Sequence, residues 1–256
     1  MSTTALESIL FLLALSTATG LMGCFVLMRR MVLAADALSH VALPGIGIAL
    51  VLRVHPLAGA LVSLVLGALL VWGIEGRALV ATETVVGVVF SAALALGAMT
   101  ASGDELVHAL LGRPEDLALG ELALALGGAA GVVAFLLLRR RELLVAIVSR
   151  DIAVSVGIRL RLLDLQFLLA FAVTIVLGLR YLGVLLMGSL VIIPAAIARQ
   201  LARNLRGMLL FAIAAAAIST LAGAWIGAAL GRDTGPPIVL AATTLFLASL
   251  AKGRRD

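Results

Sequence analysis

The sequence predicts an all-α, polytopic membrane protein with about nine transmembrane helices, or eight if one apolar segment is re-entrant. Hydrophobic residues make up 63% of the 256 positions and charged residues only 13%, so a soluble fold would lack the polar surface to cover its core. The apolar residues form runs close to the length of about 20 that a helix needs to cross a bilayer. Short basic clusters separate these runs, as they do in multi-pass membrane proteins.

Nine apolar segments approach this length, and we interpret residues 1–256 as a single transmembrane domain. Several segments are short or contain Gly and Pro, which is why eight spans are the alternative. In chain order the segments are Ile9–Met28, Val32–Leu52, Leu57–Ile74, Thr84–Thr100, Glu121–Leu138, Leu163–Leu179, Leu182–Ala198, Met208–Leu230 and Pro237–Ala251.

The positions of Lys and Arg predict that the N-terminus is outside and the C-terminus inside. In this orientation, fifteen of the 19 basic residues fall in inside loops, in agreement with the positive-inside rule. They are Arg29, Arg30, Arg77, Arg139, Arg140, Arg141, Arg150, Arg159, Arg161, Arg199, Arg203, Arg206, Lys252, Arg254 and Arg255. We therefore interpret the basicity as membrane topology and do not expect nucleic-acid binding, since few aromatic residues are present for stacking on bases.

An acid and a histidine lie one helical turn apart in the second segment. Asp36 and His40 share a face at this spacing, and a rise of about 1.5 Å per residue from Met31 puts His40 about 13 Å deep. A carboxylate near that depth costs about 3 kcal/mol, which indicates a function. Pro44 has no N–H for the carbonyl of His40, so we expect that oxygen to be a third donor. This set of donors suits zinc, manganese or ferrous iron.

Two side chains do not complete a metal shell, and other interpretations of the pair stay open. Asp36 and His40 could pair with each other or cap a neighbouring helix, or they could relay protons in a secondary carrier. Glu83 is interpreted mainly as a first-turn acid that interacts with the helix dipole, with a contribution to the metal path as the alternative. His55 and His108 are interpreted as turn and loop residues rather than ligands.

The sequence lacks the motifs of common enzymes, and no catalytic residue is predicted. There is no G-x-x-x-x-G-K-[ST], and Lys252 is the single lysine, so the chain has no P-loop of its own. Neither H-E-x-x-H nor G-x-S-x-G occurs, which argues against a zinc protease or a serine hydrolase. Cys24 is the single cysteine, so there is no intramolecular disulfide or thiolate cluster.

The inside loop between the fifth and sixth segments predicts a short helix. Ser149 is a candidate N-cap, Asp151 lies in the first turn and Gly157 is a natural stop. Such a helix could dock onto a soluble partner, or it could lie among lipid headgroups. The apolar residues predicted to face a partner are Ile152, Ala153 and Val156.

Five stretches of the chain resemble those of one transporter family. They are RRMVLAADALSHVALPGIGIAL (29–50), ETVVGVVFSAALALG (83–97), SRDIAVSVGIRLRLLDLQFLLA (149–170), YLGVLLMGSLVIIPAAIARQLAR (181–203) and DTGPPIVLAATTLFLASLAKG (233–253). Together they are similar to the permease subunit of the zinc- and manganese-uptake branch of ATP-binding-cassette importers, in the same order. The resemblance implies a permease domain in the bacterial inner membrane, with no permanently bound cofactor.

The resemblance also implies roles for residues and partners. Asp36 and His40 would form the metal site on the translocation path, and residues 149–162 would form the coupling segment on the ATPase. The coupling residues that match the pattern are Ser149, Asp151, Val156 and Gly157. The implied assembly has two copies of this permease, two ATP-binding subunits in the cytoplasm and an extracytoplasmic metal-binding protein, all held at the lipid membrane.

Two features of the resemblance leave the cargo open. The run S-H-x-x-L-P-G is similar to manganese- and iron-type relatives, whereas A-I-A-R-Q-L-A-R is similar to zinc-type ones. The outside stretch 101–120, which contains His108, is shorter than is usual in the family. The resemblance implies that a binding protein would dock here, so the contacts of that docking are left open as well. A permease for an iron chelate or cobalamin is a further alternative, but its wide path would have little use for Asp36 and His40.

Overall fold

The computed structural model describes residues 3–75, 77, 81–100, 119–231 and 233–252, in which every regular element is a helix. The predicted outer stretch with His108 lies outside the described residues, apart from positions 119 and 120. The helices are α1 (Thr3–Met28), α2 (Val32–Ser39), α3 (Ala42–Val51), α4 (Pro56–Glu75), α5 (Thr82–Thr100), α6 (Leu119–Leu138), α7 (Arg140–Val148), α8 (Arg150–Ser155), α9 (Leu160–Leu201), α10 (Leu205–Leu230) and α11 (Gly235–Lys252).

The all-α polytopic prediction is confirmed. Within the described residues, eight helical segments are long and apolar enough to cross a membrane, and they correspond to the first eight predicted spans. The ninth is α11, whose 18 residues reach about 27 Å at about 1.5 Å per residue. That length falls short of a hydrocarbon core about 30 Å thick.

Helices α1 and α9 form the centre of the bundle. Helix α1 packs against α6, α9 and α10, while α9 also packs against α4, α6, α10 and α11. Phe25 of α1 and Phe167 of α9 are among the largest fully buried side chains. The peripheral helices expose leucines such as Leu66 and Leu124, as expected for surfaces that face lipid.

The second span is not one helix, as the sequence predicted, but two helices separated by His40 and Val41. The N–H groups of His40, Val41 and Leu43 each bind the carbonyl three residues before, at 3.1–3.2 Å. This tighter pattern is physically reasonable because Pro44 has no N–H to continue the α-helical ladder. The break lies beside α4, where the Ser63 hydroxyl donates to the Val41 carbonyl at 2.6 Å.

Helix α9 contains two predicted spans joined through Gly183. Its φ of 69° and ψ of 175° are not helical, and residues with a side chain rarely adopt this conformation. The segments Leu160–Leu179 and Leu182–Leu201 each have spanning length. Gly183 therefore allows the two spans to follow each other without a loop.

The structure brings together three of the five regions that the charge distribution predicts to be inside. Residues Arg29, Glu75, Glu83, Arg150 and Asp164 line one cavity of about 660 Å³, and the end of the bundle that holds it is called the inner end below. At a different place, His55 and Glu121 from predicted outside segments lie 3.6 Å apart. The grouping is consistent with the predicted topology, while the orientation relative to the cytoplasm stays a prediction.

Candidate functional site

Asp36 lies at the contact between α2 and α9. It is half-buried, and its carboxylate and Cα lie directly against Gly188. A side chain at position 188 would overlap Oδ1 of Asp36, so the missing Cβ of Gly188 provides the space that the carboxylate occupies. Gly188 was not identified from the sequence, where it is one of several small residues in the seventh predicted span.

His40 is the C-cap residue of α2 and is also half-buried. Its imidazole ring lies 5.8 Å from the ring of Phe90 on α5, with an angle of 52° between the planes. Helix α2 thus presents Asp36 towards α9 and His40 towards α5. The prediction that Pro44 frees the His40 carbonyl is wrong, because that oxygen accepts a hydrogen bond from the Leu43 N–H at 3.1 Å.

The described part of the chain does not assemble a full metal shell. It contains no group of three or more His, Cys, Asp or Glu side chains close enough to hold an ion. Glu83 lies in the first turn of α5, as predicted, and lines the inner cavity, whereas Asp36 and His40 do not line it. A direct contribution of Glu83 to their site therefore stays a prediction.

An ion-pair network at the inner end was not predicted from the sequence. The carboxylate of Asp164, at the start of α9, contacts the guanidinium of Arg29 at 3.0 Å and that of Arg150 at 2.9 Å. Burial lowers the pKa of Arg29, and the nearby Asp164 opposes that shift. Arg29 stays charged near neutral pH, since its ordinary pKa lies far above that range. The guanidinium also lies 4.2 Å from the ring centroid of Phe167, within cation–π range.

The predicted short helix in the inside loop is present as α8. Ser149 is its N-cap and accepts a hydrogen bond from the Ile152 N–H at 3.3 Å, with Asp151 in the first turn. Gly157 has a φ of 83° and ends the helix in the left-handed conformation that glycine adopts at low cost. Val156 is the C-cap residue and is exposed.

One residue predicted to face a partner of α8 does not do so. Ala153 is fully buried against the rest of the protein, whereas Val154 is 61% exposed. The outward apolar side chains are Ile152, Val154 and Val156. The spacing of apolar residues over less than two turns could not distinguish the two faces, because both contain them.

The other described histidine behaves as a turn residue, as predicted. Nδ1 of His55 accepts a hydrogen bond from the Leu57 N–H at 3.3 Å at the start of α4. Its side chain is 57% exposed and lies 3.6 Å from Glu121. These contacts account for His55 without a metal.

Comparisons with known proteins identify one family along the whole chain. The model of the ABC 3 transport family matches residues 1–253. The manganese import system permease protein ScaB of Streptococcus parasanguinis is 29% identical over 241 residues, or 93% of this chain and 86% of that protein. The high-affinity zinc uptake system membrane protein ZnuB of Haemophilus influenzae is 30% identical over 249 residues, or 95% of each chain.

A solved structure has the same fold. A chain of PsaBC from Streptococcus pneumoniae in complex with Fab aligns with a TM-score of 0.84 and 25% identity. The alignment covers 97% of this chain and 91% of that chain. The likeness in fold therefore extends over nearly the whole length of both chains.

Proposed function

This chain belongs to the ABC 3 transport family, and from that premise we propose that it is the membrane-spanning permease subunit of an ATP-driven importer of a divalent transition metal. It is a multi-pass protein of the bacterial inner membrane, with eight helical spans among its described residues. Its role is to provide the translocation path and to dock an ATP-binding subunit, which hydrolyses the nucleotide. The names of the manganese and zinc permeases above support this function and do not favour a secondary carrier.

The observation that carries the metal path is the placement of Asp36. Asp36 is half-buried within an apolar span, and its carboxylate occupies the space beside Gly188, which has no side chain. Placing a charge at that depth costs roughly 2.5–3.5 kcal/mol on the insertion scale. A cation that binds the carboxylate during passage offsets this cost, and His40 adds a nitrogen donor on the same helix.

We assign the rest of the metal shell to water or to groups outside the described residues. Manganese and zinc both accept carboxylate and imidazole ligands, so the pair defines a class of cargo and leaves the choice between these ions open. Glu83 lines the inner cavity, where we place the exit of the path. No permanently bound cofactor is part of the proposal.

Helix α8 is the proposed contact with the ATP-binding subunit, within a coupling segment at about residues 149–162. Its cap and stop, Ser149 and Gly157, hold a short rigid helix whose exposed apolar residues include Ile152 and Val156. A capped helix of this kind suits insertion into a groove of a soluble partner. A second copy of the permease and an extracytoplasmic metal-binding protein complete the proposed assembly.

The test is metal uptake into proteoliposomes that contain the permease and its ATP-binding subunit, with Mn²⁺ and Zn²⁺ as separate substrates. Asp36→Ala and His40→Ala are expected to lower ATP-dependent uptake by about tenfold or more, because changes to groups around a metal site typically lower metal affinity or activity about 10- to 100-fold. His55→Ala is the matched control, because this histidine lies at an exposed turn, and it is expected to retain uptake.

Two outcomes contradict the proposal. Unchanged uptake after Asp36→Ala would remove the metal path through this residue. Uptake that persists with a catalytically inactive ATP-binding subunit would favour a secondary carrier in which Asp36 and His40 titrate. Direct metal analysis of the purified permease, with and without the His40→Ala change, distinguishes binding from transport.

A further inference from the structure

We propose that Asp164 is a positioning residue that transmits movement of α8 to both walls of the Asp36 site. The inference rests on the proposed function, since it assumes that an ATP-binding subunit moves α8. It goes beyond that function because it assigns the mechanical connection to one carboxylate and two guanidinium groups. Arg150 lies within the predicted coupling segment but was not among its named coupling residues, and no such role was predicted for Arg29 or Asp164.

Asp164 connects three separate elements. One carboxylate oxygen accepts from Arg150, the first residue of α8, and the other accepts from Arg29, directly after α1. Of the ion pairs among the described residues, the remaining two join Arg139 to Glu142 within the α7 region and His55 to Glu121 at the predicted outer loops. Asp164 is thus the described acid through which α8 is linked to α1 and α9.

The burial of the three residues gives them different roles. The side chains of Asp164 and Arg29 are only 10% and 11% exposed, whereas that of Arg150 is 58% exposed. Arg29 is also held by Phe167, which is fully buried on the same helix as Asp164. The Arg29–Asp164 pair is therefore the fixed part of the network, because breaking a buried pair leaves an uncompensated charge. Arg150 is the peripheral link that follows α8.

A rigid turn carries the connection from Arg29 to Asp36. The chain between α1 and α2 consists of three residues, and it is closed by hydrogen bonds from Arg30 N–H to Leu27 and from Met31 N–H to Val26, each at 3.1 Å. Arg30 has a φ of 59°, which is typical of the residue that ends a helix in this closed pattern. A displacement of Arg29 must therefore move the start of α2, one turn before Asp36.

The same network reaches the opposite wall of the site. Asp164 lies near the start of α9, and Gly188, which packs against Asp36, lies beyond the kink at Gly183 in that helix. A shift of the Asp164 carboxylate is thus transmitted to α2 through Arg29 and to the first span of α9 directly, and it reaches Gly188 across the kink at Gly183. Both surfaces that enclose the Asp36 carboxylate are therefore connected to one hub, and the proposal is that they move with it.

The experiment measures metal transported per ATP hydrolysed, in proteoliposomes of the permease with its ATP-binding subunit. Arg150→Gln removes the peripheral link while leaving the buried pair intact, so it tests the connection even if Asp164→Asn fails to fold. We expect Arg150→Gln to lower the metal-to-ATP ratio by about fivefold or more, while the rate of ATP hydrolysis stays within about twofold of that of the wild type. Asp164→Glu is expected to retain the ratio, because it keeps the charge.

Arg206→Gln is the matched control. This exposed arginine belongs to another predicted inside loop and lies near the start of α10, outside the coupling segment. It is expected to leave the ratio unchanged. In an Arg150→Gln/Asp164→Asn double variant, the metal-to-ATP ratio should fall only as far as in the more strongly affected single variant, because both changes break the same connection.

An unchanged ratio in Arg150→Gln overturns the inference, and so does a proportional fall of uptake and hydrolysis, which would mean weaker docking only. An equal fall of the ratio in Arg206→Gln also overturns it. A wild-type assembly that transports no metal would overturn the proposed function together with this inference. If the wild type transports metal and Arg150→Gln leaves the metal-to-ATP ratio unchanged, only the inference is overturned.

Discussion

Gly188 is the position at which a single methyl group is expected to disturb the metal path most directly. In Gly188→Ala, the new Cβ would overlap Oδ1 of Asp36 and would lie 3.3 Å from the Asp36 Cα. Rotating the carboxylate away relieves only the first contact, because the second involves the backbone of α2. One result is that helices α2 and α9 separate slightly. The other is that the carboxylate rotates out of its position while a close contact between the new Cβ and the Asp36 Cα remains.

The magnitude follows from the size of the overlap. To reach an ordinary carbon–oxygen contact of about 3.3 Å, the carboxylate must move by about 1 Å. Metal sites tolerate deviations of only about 0.2 Å in ligand distance, and changes to groups that support a ligand typically lower metal affinity about 10- to 100-fold. Overpacking at a helix contact costs about 1–3 kcal/mol of stability in addition.

The assay is the concentration dependence of Mn²⁺ uptake in proteoliposomes, together with thermal unfolding of the detergent-solubilised protein. Gly188→Ala is expected to raise the half-saturating Mn²⁺ concentration about 10- to 100-fold. Gly127→Ala on α6 is the matched control, because a Cβ there meets no atom within 4 Å. Normal uptake by folded Gly188→Ala would refute the reasoning, as would an equal loss in Gly127→Ala, which would point to helix flexibility instead.

Two further predictions concern single hydroxyl groups. Ser149→Ala removes the N-cap of α8 and should weaken binding of the ATP-binding subunit by about 1 kcal/mol, or roughly fivefold, as measured by co-purification. Ser155→Ala changes an exposed hydroxyl in the same helix and should leave binding unchanged. Equal losses of binding in the two variants would contradict the role of the cap. Ser63→Ala removes the donor to the Val41 carbonyl and should lower unfolding stability by about 1 kcal/mol, measured by thermal unfolding. Ser91→Ala, an exposed hydroxyl bonded within its own helix, should be near neutral, and the interpretation of Ser63 fails if the two variants melt alike.

Features that depend on neighbouring residues could be predicted from the sequence. The cap at Ser149 and the stop at Gly157 involve atoms within one or two helical turns, so residue type and spacing were sufficient. The spans followed from runs of apolar residues for the same reason. The prediction for Ala153 was wrong because α8 is too short for a pattern to define one face.

Features that join distant segments could not be predicted in this way. Arg29 and Asp164 are separated by 135 positions, so no spacing rule within one helix relates them. Gly188 is likewise indistinguishable from other small residues until α2 packs against it. The break at His40 and Val41 was not predicted, although Pro44 lies close to it, because it depended on how the backbone hydrogen bonds rearranged.

The sequence by itself determined the all-α class, the apolar spans, the position of Asp36 within one of them and the presence of a capped helix near residue 150. Only the tertiary structure decided which helix encloses that carboxylate and which groups neutralise Asp164. The physical reason is that hydrophobicity drives a helix into the bilayer without selecting its neighbours, since lipid tails and apolar side chains are similar surroundings. Close contacts at small residues and the pairing of buried charges make that selection, and both exist only once the helices are packed.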